Sequence, residues 1–161
     1  MTFTTPDLCD ELGGAVQVAE PVFRDFGGAR SFSGEAETLR VYEDNALVRA
    51  ALETAGLGRV LVVDGGGSLR TALLGGKLGE LAAVNGWSGI VVNGAVRDLA
   101  ELRLANVGIK ALAACPRKSA KTGVGEQGVQ VGFAGVVIRR GSFVWADEDG
   151  LLIGERAAGA R

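Results

Sequence analysis

The chain has 161 residues, a formal net charge of −2 and 47% apolar residues. This length suits one domain with its own core, and the apolar fraction excludes an intrinsically disordered chain. The sequence contains no histidine, which excludes His-based zinc sites, Ser-His-Asp and Cys-His nucleophile systems and histidine general bases. Any catalysis must therefore use carboxylates, Arg, Lys, Tyr, backbone amides, water or a metal bound through oxygen.

The sequence also limits the compartment and the partners that we expect. No block of basic residues stands out and the net charge is negative, so direct binding to nucleic acid is not expected. Cys9 and Cys115 are the only cysteines and lack CxxC spacing, which is typical of a reducing compartment. Neither a signal sequence nor an apolar run of about 18–20 residues is present. We therefore expect a cytoplasmic protein without a membrane segment.

Apolar runs, caps and glycines predict the order of the secondary-structure elements. In the first third of the chain they are a helix from Thr5 to Gly13, strand and loop over Val16–Phe26, a strand over Thr38–Tyr42 and a helix over Ala46–Ala55 that follows Asp44 or Asn45. In the central part, buried strands Val60–Val63, Ile90–Val92 and Ile109–Ala113 alternate with helices over Leu69–Leu74, over Lys77–Val84 and from Arg97-Asp98 to about Leu104. This β-α-β-α-β order predicts parallel pairing over Val60–Ala113.

After Pro116 the sequence changes to short β-rich runs separated by glycine. The predicted elements there are strands over Val129–Phe133, Val136–Arg139 and Phe143–Trp145, a hairpin turn at Asp147–Gly150 and a frayed tail over residues 154–161. We find neither a linker nor a repeat and expect a single domain over residues 1–161. The fold class is α/β of the mixed α+β kind, with a parallel centre and antiparallel C-terminal strands in a mixed sheet or two layered sheets.

The segment Val62–Ser68 combines a strand end with three glycines and a serine. Such a turn is found in phosphate or dinucleotide cradles and in the first motif of methyltransferases. However, the glycines do not follow the GxGxxG order, and no Lys-Ser/Thr pair follows to make a P-loop. The sequence favours a tight turn in which Ser68 caps the next helix.

The segment Gly75-Gly76-Lys77-Leu78 opens a predicted helix. Free N–H groups at a helix start bind carboxylates, and two glycines let a ligand approach the backbone. An ordinary break between two helices explains the same residues. Taken alone, the motif favours that simpler interpretation.

Arg97, Asp98 and Glu101 follow the strand Ile90–Val92, at the end where α/β sheets bind ligands. Asp98 and Glu101 are three residues apart, so their carboxylates share a helix face. One or two carboxylates with water and substrate oxygens suit Mg²⁺ or Mn²⁺, and Arg97 can hold a carboxylate or an enolate. Spacing alone favours a solvated, acid-rich helix start instead.

A basic stretch, Arg117–Lys121, follows Pro116. Such a stretch is most often a solvated loop. The alternative is that it faces an anionic ligand.

Several stretches together resemble the RraA-like family, named after the regulator of ribonuclease E activity A. The family also contains class II aldolases for 4-hydroxy-4-methyl-2-oxoglutarate. The resemblance covers about Leu8 to Leu152 and rests on five stretches, which are Phe26-Gly27-Gly28, Glu43-Asp44-Asn45-Ala46-Leu47, Val62-Val63-Asp64-Gly65-Gly66-Gly67-Ser68-Leu69, Gly94-Ala95-Val96-Arg97-Asp98 and Pro116-Arg117-Lys118-Ser119. Some relatives were once called menaquinone methyltransferases, which the glycine-rich turn explains but does not support.

A local pattern separates the branches of this family. Members with lyase activity carry D-x20-R-D or G-x20-R-D-x2-E/D, and regulators of ribonuclease can lack the last acid. Gly76, twenty intervening residues, Arg97, Asp98 and then Glu101 fit the second form. This match favours the enzyme branch. Asn93 stands beside this region, where many relatives have histidine.

The resemblance implies a three-layer β/β/α swivelling-type domain and a homotrimer with sites near the subunit interfaces. It also implies that residues 75–78 (Gly75, Gly76, Lys77 and Leu78) bind substrate through backbone amides, that Arg97 contacts the substrate and that Asp98 coordinates the metal. We expect Mg²⁺ or Mn²⁺ at Asp98, with Glu101 bound to it directly or through water. The expected reaction is cleavage of 4-hydroxy-4-methyl-2-oxoglutarate to pyruvate, with oxaloacetate decarboxylation as a side activity. The alternative is a trimeric, non-catalytic protein that binds and inhibits a ribonuclease.

Overall fold

The computed structural model describes residues 2–155 of the chain. In this part of the chain the helices are α1 Thr5–Leu12, α2 Ala46–Leu52, α3 Gly76–Val84 and α4 Leu99–Leu104, with a 3-10 turn at Gly13–Ala15. The strands are β1 Val16–Val18, β2 Arg24–Asp25, β3 Phe32–Val41, β4 Val60–Asp64, β5 Ala72–Leu74, β6 Gly89–Val96, β7 Gly108–Ala114, β8 Gly125–Gln127, β9 Val131–Phe133, β10 Val136–Ile138, β11 Phe143–Asp147 and β12 Gly150–Gly154. None of the helices within residues 2–155 is long and apolar enough to cross a membrane.

The centre of the fold is a parallel sheet in the order β3-β4-β6-β7. Its strands are continuous apolar runs because both faces of the sheet are covered. All four residues of Val60–Val63 are fully buried, for example. The parallel pairing predicted from the β-α-β-α-β order is therefore confirmed.

The long strand β3 joins this parallel centre to an antiparallel sheet. Residues 32–35 pair antiparallel with β11, whereas residues 36–40 pair parallel with β4. Beyond β11 the antiparallel order continues through β12 to β1. Asp147 pairs with Gly150, which confirms the predicted hairpin turn and the antiparallel character of the C-terminal strands.

Side chains on alternate faces of the strands build two separate cores. On one face, Leu61 and Val63 pack against α2, α3 and α4. On the other face, Val60 and Val62 pack against the antiparallel strands β9 to β12. These layers form the expected β/β/α arrangement, and Leu8 of α1 packs against the outer side of β11 and β12.

A buried lysine ties four elements together at the edge of the sheet. Lys110 of β7 is only 3% exposed, and its Nζ atom lies 3.1 Å from Oδ1 of Asp25 in β2. The same ammonium donates to the backbone oxygen of Asp147 at 2.6 Å. The Asp147 carboxylate accepts hydrogen bonds from the backbone N–H and the hydroxyl of Thr5 at the start of α1. Burial raises the pKa of Asp147, but these and other hydrogen bonds outweigh burial and hold it below its usual range.

Two predictions for the segment in front of α3 are wrong. Residues 69–74 do not form a helix, because Ala72–Leu74 is the strand β5, which runs parallel to β6. Ser68 caps no helix, and its hydroxyl donates to Oε2 of Glu43 at 2.6 Å. Pairing with an adjacent buried strand outweighs the local helix propensity of a short apolar run.

Several element ends also differ from prediction. β3 begins at Phe32 and not at Thr38, because its first residues pair with β11. α2 ends at Leu52, earlier than predicted. β12 is absent from the predicted elements. Gly154 lies in this strand, so the prediction of a frayed tail from residue 154 is wrong at that residue. Residues 156–161 of that tail lie outside the described residues.

The packing of Phe32 gives a test of the fold. Gly89 of β6 pairs with Gly108 of β7, and a Cβ atom at either position would overlap the Phe32 ring. We expect Gly108→Ala to lower the free energy of unfolding by about 1–3 kcal/mol, because an added methyl group overpacks the core. Chemical denaturation measures this change.

Gly14→Ala is the matched control, because a Cβ atom there meets open space. We expect that control to change the free energy of unfolding by less than about 0.5 kcal/mol. Equal effects of the two substitutions would show that the Phe32 ring does not limit the space at Gly108.

Candidate functional site

The residues that the sequence singles out for substrate and metal binding all line one cleft of about 230 Å³. They are Gly75, Gly76, Lys77, Leu78, Arg97, Asp98 and Glu101. The cleft lies beyond the ends of the parallel strands β5 and β6, where α3 and α4 begin. This is the edge at which open α/β sheets bind ligands.

Asp98 stands before α4 but does not cap it. Its backbone is left-handed, with φ of 61° and ψ of 50°, and its side chain makes no hydrogen bond to its own helix. Instead, Oδ2 of Asp98 accepts the N–H of Gly76 at 2.9 Å, the first residue of α3. The Arg97 N–H donates to the Leu74 oxygen at 2.9 Å and holds the two strand ends level. Left-handed backbone in a non-glycine residue is strained and often marks a functional site.

The glycine pair at the start of α3 provides the space that both carboxylates occupy. A Cβ atom on Gly76 would overlap Oε2 of Glu101, and one on Gly75 would lie 2.8 Å from Oδ2 of Asp98. Both carboxylates therefore lie against the same stretch of backbone. This is the N-terminal end of α3, where the helix dipole favours negative charge.

These two carboxylates fit a divalent cation that takes most of its ligands from elsewhere. Within residues 2–155, Oδ1 of Asp98 and the carboxylate of Glu101 have no hydrogen-bond partner, and no group of three or more His, Cys, Asp or Glu side chains could hold a metal. Mg²⁺ is usually bound through one or two carboxylates, with water and substrate oxygens completing its shell. Asp98 and Glu101 are hard oxygen ligands of this kind.

Arg97 adds a positive charge beside the carboxylates. Its Nη1 donates to the Pro116 oxygen at 3.3 Å, and its Nε lies 3.6 Å from the position of a Cβ on Gly75. Among the described residues it forms no ion pair with a carboxylate. Its planar guanidinium therefore has donors available for an anionic ligand.

The rest of the polar lining comes from the start of α2 and from residues 117–123, which we call the basic loop. The lining residues are Asn45, Arg49, Lys118, Ser119 and Lys121. Ser119 donates to the Ala72 oxygen at 2.6 Å, and Nζ of Lys121 donates to Oδ1 of Asn45 at 3.2 Å.

Sequence reasoning kept a ligand-facing role open for the basic loop but missed Asn45 and Arg49. Asn45 stands before a predicted helix, a position that marks caps far more often than sites, and the family stretch that contains it carried no role for it. Their distance in sequence from Arg97 and Asp98 hides their place in the cleft.

Asp44 anchors the basic loop. Its Oδ2 accepts the N–H of Thr122 at 2.7 Å and the Thr122 hydroxyl, and its Oδ1 accepts the N–H groups of Gly123 and Ala46. Burial raises the pKa of Asp44, but the hydrogen bonds outweigh burial and hold the pKa at about 2. The carboxylate is therefore ionised at neutral pH, although only 4% of the residue is exposed.

Three neighbouring features lack this convergence of groups. A more open depression of about 840 Å³ is lined by Glu43, Arg70, Thr71, Cys115, Pro116 and Arg117, and its one carboxylate is bonded to Arg70 and Ser68. The side chain of Asn93 donates to Oδ1 of Asp64 at 3.0 Å and does not line the cleft. The glycine-rich turn after β4 leads to β5 and not to a helix start, so the phosphate cradle considered above does not form there.

Comparison with known proteins connects this geometry to a family. The family model described as RraA-like, Aldolase/RraA, matches residues 5–153. A relative from Paraburkholderia phytofirmans, provisionally named 4-hydroxy-4-methyl-2-oxoglutarate aldolase, is 56% identical over 162 residues and covers 98% of this chain and 99% of its own.

Two solved structures are also closely similar. The RNA-processing inhibitor RraA from Thermus thermophilis has a TM-score of 0.94 at 54% identity and covers 100% of this chain and 98% of its own. A Geobacillus kaustophilus protein described as S-adenosylmethionine: 2-dimethylmenaquinone methyltransferase has a TM-score of 0.93 at 45% identity and covers 95% of both chains. With these matches over nearly its whole length, the chain belongs to the RraA-like family.

Proposed function

We propose that this protein is a divalent-metal-dependent aldolase that cleaves 4-hydroxy-4-methyl-2-oxoglutarate into two molecules of pyruvate. The observation that carries the proposal is the convergence of Asp98 and Glu101 on Gly76, beside Arg97 and the first turn of α3. The aldolase name of the relative that is 56% identical supports the same reaction. Decarboxylation of oxaloacetate is the proposed secondary activity.

In this proposal, Asp98 would hold Mg²⁺ or Mn²⁺, and Glu101 would hold the ion directly or through water. The bound ion would act as a Lewis acid on the 2-oxo acid and would offset the charge that develops during cleavage. The N–H groups of Lys77 and Leu78 belong to the first turn of α3 and lack partners within the helix. They would donate to the C1 carboxylate of the substrate, which can approach because Gly75 and Gly76 have no side chains.

Arg97 would stabilise the charge that forms when the C3–C4 bond breaks. The C4 hydroxyl gives its proton to water, C4 becomes the keto carbon of one pyruvate, and the electrons of the bond leave an enolate on C2 and C3. This enolate takes a proton at C3 to become the second pyruvate. The guanidinium donates to the C2 oxygen, where negative charge develops, which is electrostatic stabilisation of the transition state. Loss of CO₂ from oxaloacetate produces the same enolate.

The second candidate function is inhibition of a ribonuclease without chemistry. It is favoured by the 54% identity and the TM-score of 0.94 to the RNA-processing inhibitor from Thermus thermophilis. The presence of Glu101 favours the aldolase over the inhibitor, because ribonuclease regulators of this family can lack that acid. For either function we expect a homotrimer, which rests on the family resemblance and is measured by light scattering.

Metal dependence separates the two candidates. We expect pyruvate release from 4-hydroxy-4-methyl-2-oxoglutarate and from oxaloacetate with Mg²⁺ or Mn²⁺, and its loss in EDTA. A coupled pyruvate assay measures this, with protein-free reactions to correct for spontaneous decarboxylation. Undiminished turnover in EDTA would refute the metal-dependent mechanism, and no turnover of either substrate would favour the ribonuclease inhibitor.

Replacing Arg97 tests its placement against the enolate. We expect Arg97→Lys to be nearly as damaging as Arg97→Ala, because lysine is a hydrated point charge and cannot make two parallel hydrogen bonds. By analogy with the removal of one oxyanion donor, kcat should fall about 10²–10³-fold, more than KM changes. Steady-state kinetics on oxaloacetate at saturating metal measures both parameters.

Arg103→Lys is the matched control for this experiment, because Arg103 is exposed on α4 and does not line the cleft. It should retain wild-type kinetics. A kcat near the wild-type value in Arg97→Lys would show that Arg97 acts only as a distant positive charge and does not donate to the enolate.

A further inference from the structure

We propose that the basic loop selects substrates with a second carboxylate, that Lys121 contacts this carboxylate, and that Asp44 is the residue that positions Lys121. This inference rests on the proposed aldolase function and assigns the part of the cleft that the basic loop lines. It concerns the C5 end of the substrate, away from C2 and C3, where the enolate forms.

The charge of the cleft favours a ligand with more than one negative charge. Its lining contains five cationic side chains, of Arg49, Lys77, Arg97, Lys118 and Lys121, and only two carboxylates. A divalent cation at Asp98 and Glu101 would offset those two carboxylates. A monoanionic 2-oxo acid then leaves a large excess of positive charge, whereas a dicarboxylate balances more of it.

Lys121 is oriented in the cleft by one hydrogen bond, which leaves most of its N–H donors unused. Its Nζ donates to Oδ1 of Asn45 at 3.2 Å, and Asn45 is itself buried and bonded through Nδ2 to the Leu73 oxygen. An ammonium has three donors. The two that remain can meet a carboxylate, and the fixed ammonium loses less side-chain entropy when it binds one.

Asp44 fixes the backbone next to Lys121. Its two carboxylate oxygens accept three hydrogen bonds from Thr122 and Gly123, the residues that follow Lys121. On the other side, the N–H of Asn45 donates to the Ala120 oxygen at 3.0 Å. Lys121 is therefore held from both sides by the segment that precedes α2. Asp44 does not itself line the cleft, so in this proposal it acts on the ligand through Lys121.

A pair of substrates that differ only in the second carboxylate tests the proposal. 4-Hydroxy-4-methyl-2-oxoglutarate has the C5 carboxylate, and 4-hydroxy-2-oxopentanoate has hydrogen in its place. We expect Lys121→Gln to lower kcat/KM for the dicarboxylate about 10–100-fold, mainly through KM, as loss of a hydrogen bond to a charged group predicts. For the monocarboxylate the change should be less than about twofold.

Two measurements show that the rest of the site is intact in this variant. Arg103→Gln removes one positive charge from an exposed position outside the cleft and should leave both substrates unaffected. Oxalate resembles the enolate end of the substrate and has no C5 group, so its competitive inhibition constant should be unchanged in Lys121→Gln.

Asp44→Asn tests the positioning role. An amide offers one acceptor oxygen, so its NH₂ group would face donors of Thr122 or Gly123. We expect the same selective loss for the dicarboxylate, and a double variant with Lys121→Gln that is no worse than the more damaged single variant, since both changes remove one contact. If Asp44→Asn does not fold, Thr122→Val removes only the hydroxyl bond to Asp44 and should show a smaller loss of the same kind.

The outcomes separate this inference from the function on which it rests. Equal losses for both substrates in Lys121→Gln would overturn the contact with the C5 carboxylate. Additive losses in the double variant would overturn the positioning role of Asp44. Failure of the wild-type protein to cleave either substrate with metal would instead refute the aldolase function, and the inference with it.

Discussion

The hydrogen bond from the Gly76 N–H to Oδ2 of Asp98 is the contact on which the geometry of the cleft depends. It links the first residue of α3 to the residue before α4 and holds Asp98 in a left-handed backbone that costs roughly 1–2 kcal/mol in a non-glycine residue. The bond occupies one carboxylate oxygen and leaves the other free. Because Gly76 has no Cβ atom, the carboxylate of Glu101 reaches the same stretch of backbone. From the sequence, Asp98 and Glu101 are expected only to lie on one helix face. In the structure, both carboxylates lie at the N-terminus of α3.

This contact in turn requires two parallel strands to end side by side. The bond from the Arg97 N–H to the Leu74 oxygen sets the end of β6 level with the end of β5. A helix over residues 69–74, as the sequence predicts, would remove this strand pairing. The short strand β5 is therefore the element that places the Gly75-Gly76 pair opposite α4, although it contributes only three residues to the sheet.

The sequence predicts what depends on local pattern and fails where distant pairing decides. Buried runs such as Val60–Val63 are visible because a strand covered on both faces has no polar positions. β5 and the first residues of β3 exist because of strands elsewhere in the chain, so local propensity misassigns them. The same division applies to the site: the spacing of Asp98 and Glu101 is local and predictable. Asn45 reaches the cleft only through tertiary structure.

Lys110 marks a further limit of sequence reasoning. It lies in the predicted buried strand Ile109–Ala113, and no neighbour in the sequence indicates what balances its charge. In the structure it is buried, forms an ion pair with Asp25 and donates to the Asp147 oxygen. A buried cation is tolerated only with such partners. The partners lie in β2 and in the β11–β12 hairpin, far away in the sequence. The cleft depends on distant partners in the same way. Around α3 and α4 the Asp98 carboxylate bonds to the Gly76 N–H, and the Arg97 N–H bonds to the Leu74 oxygen. The basic loop is held by the Asp44 carboxylate and by backbone bonds at Arg117 and Ala120.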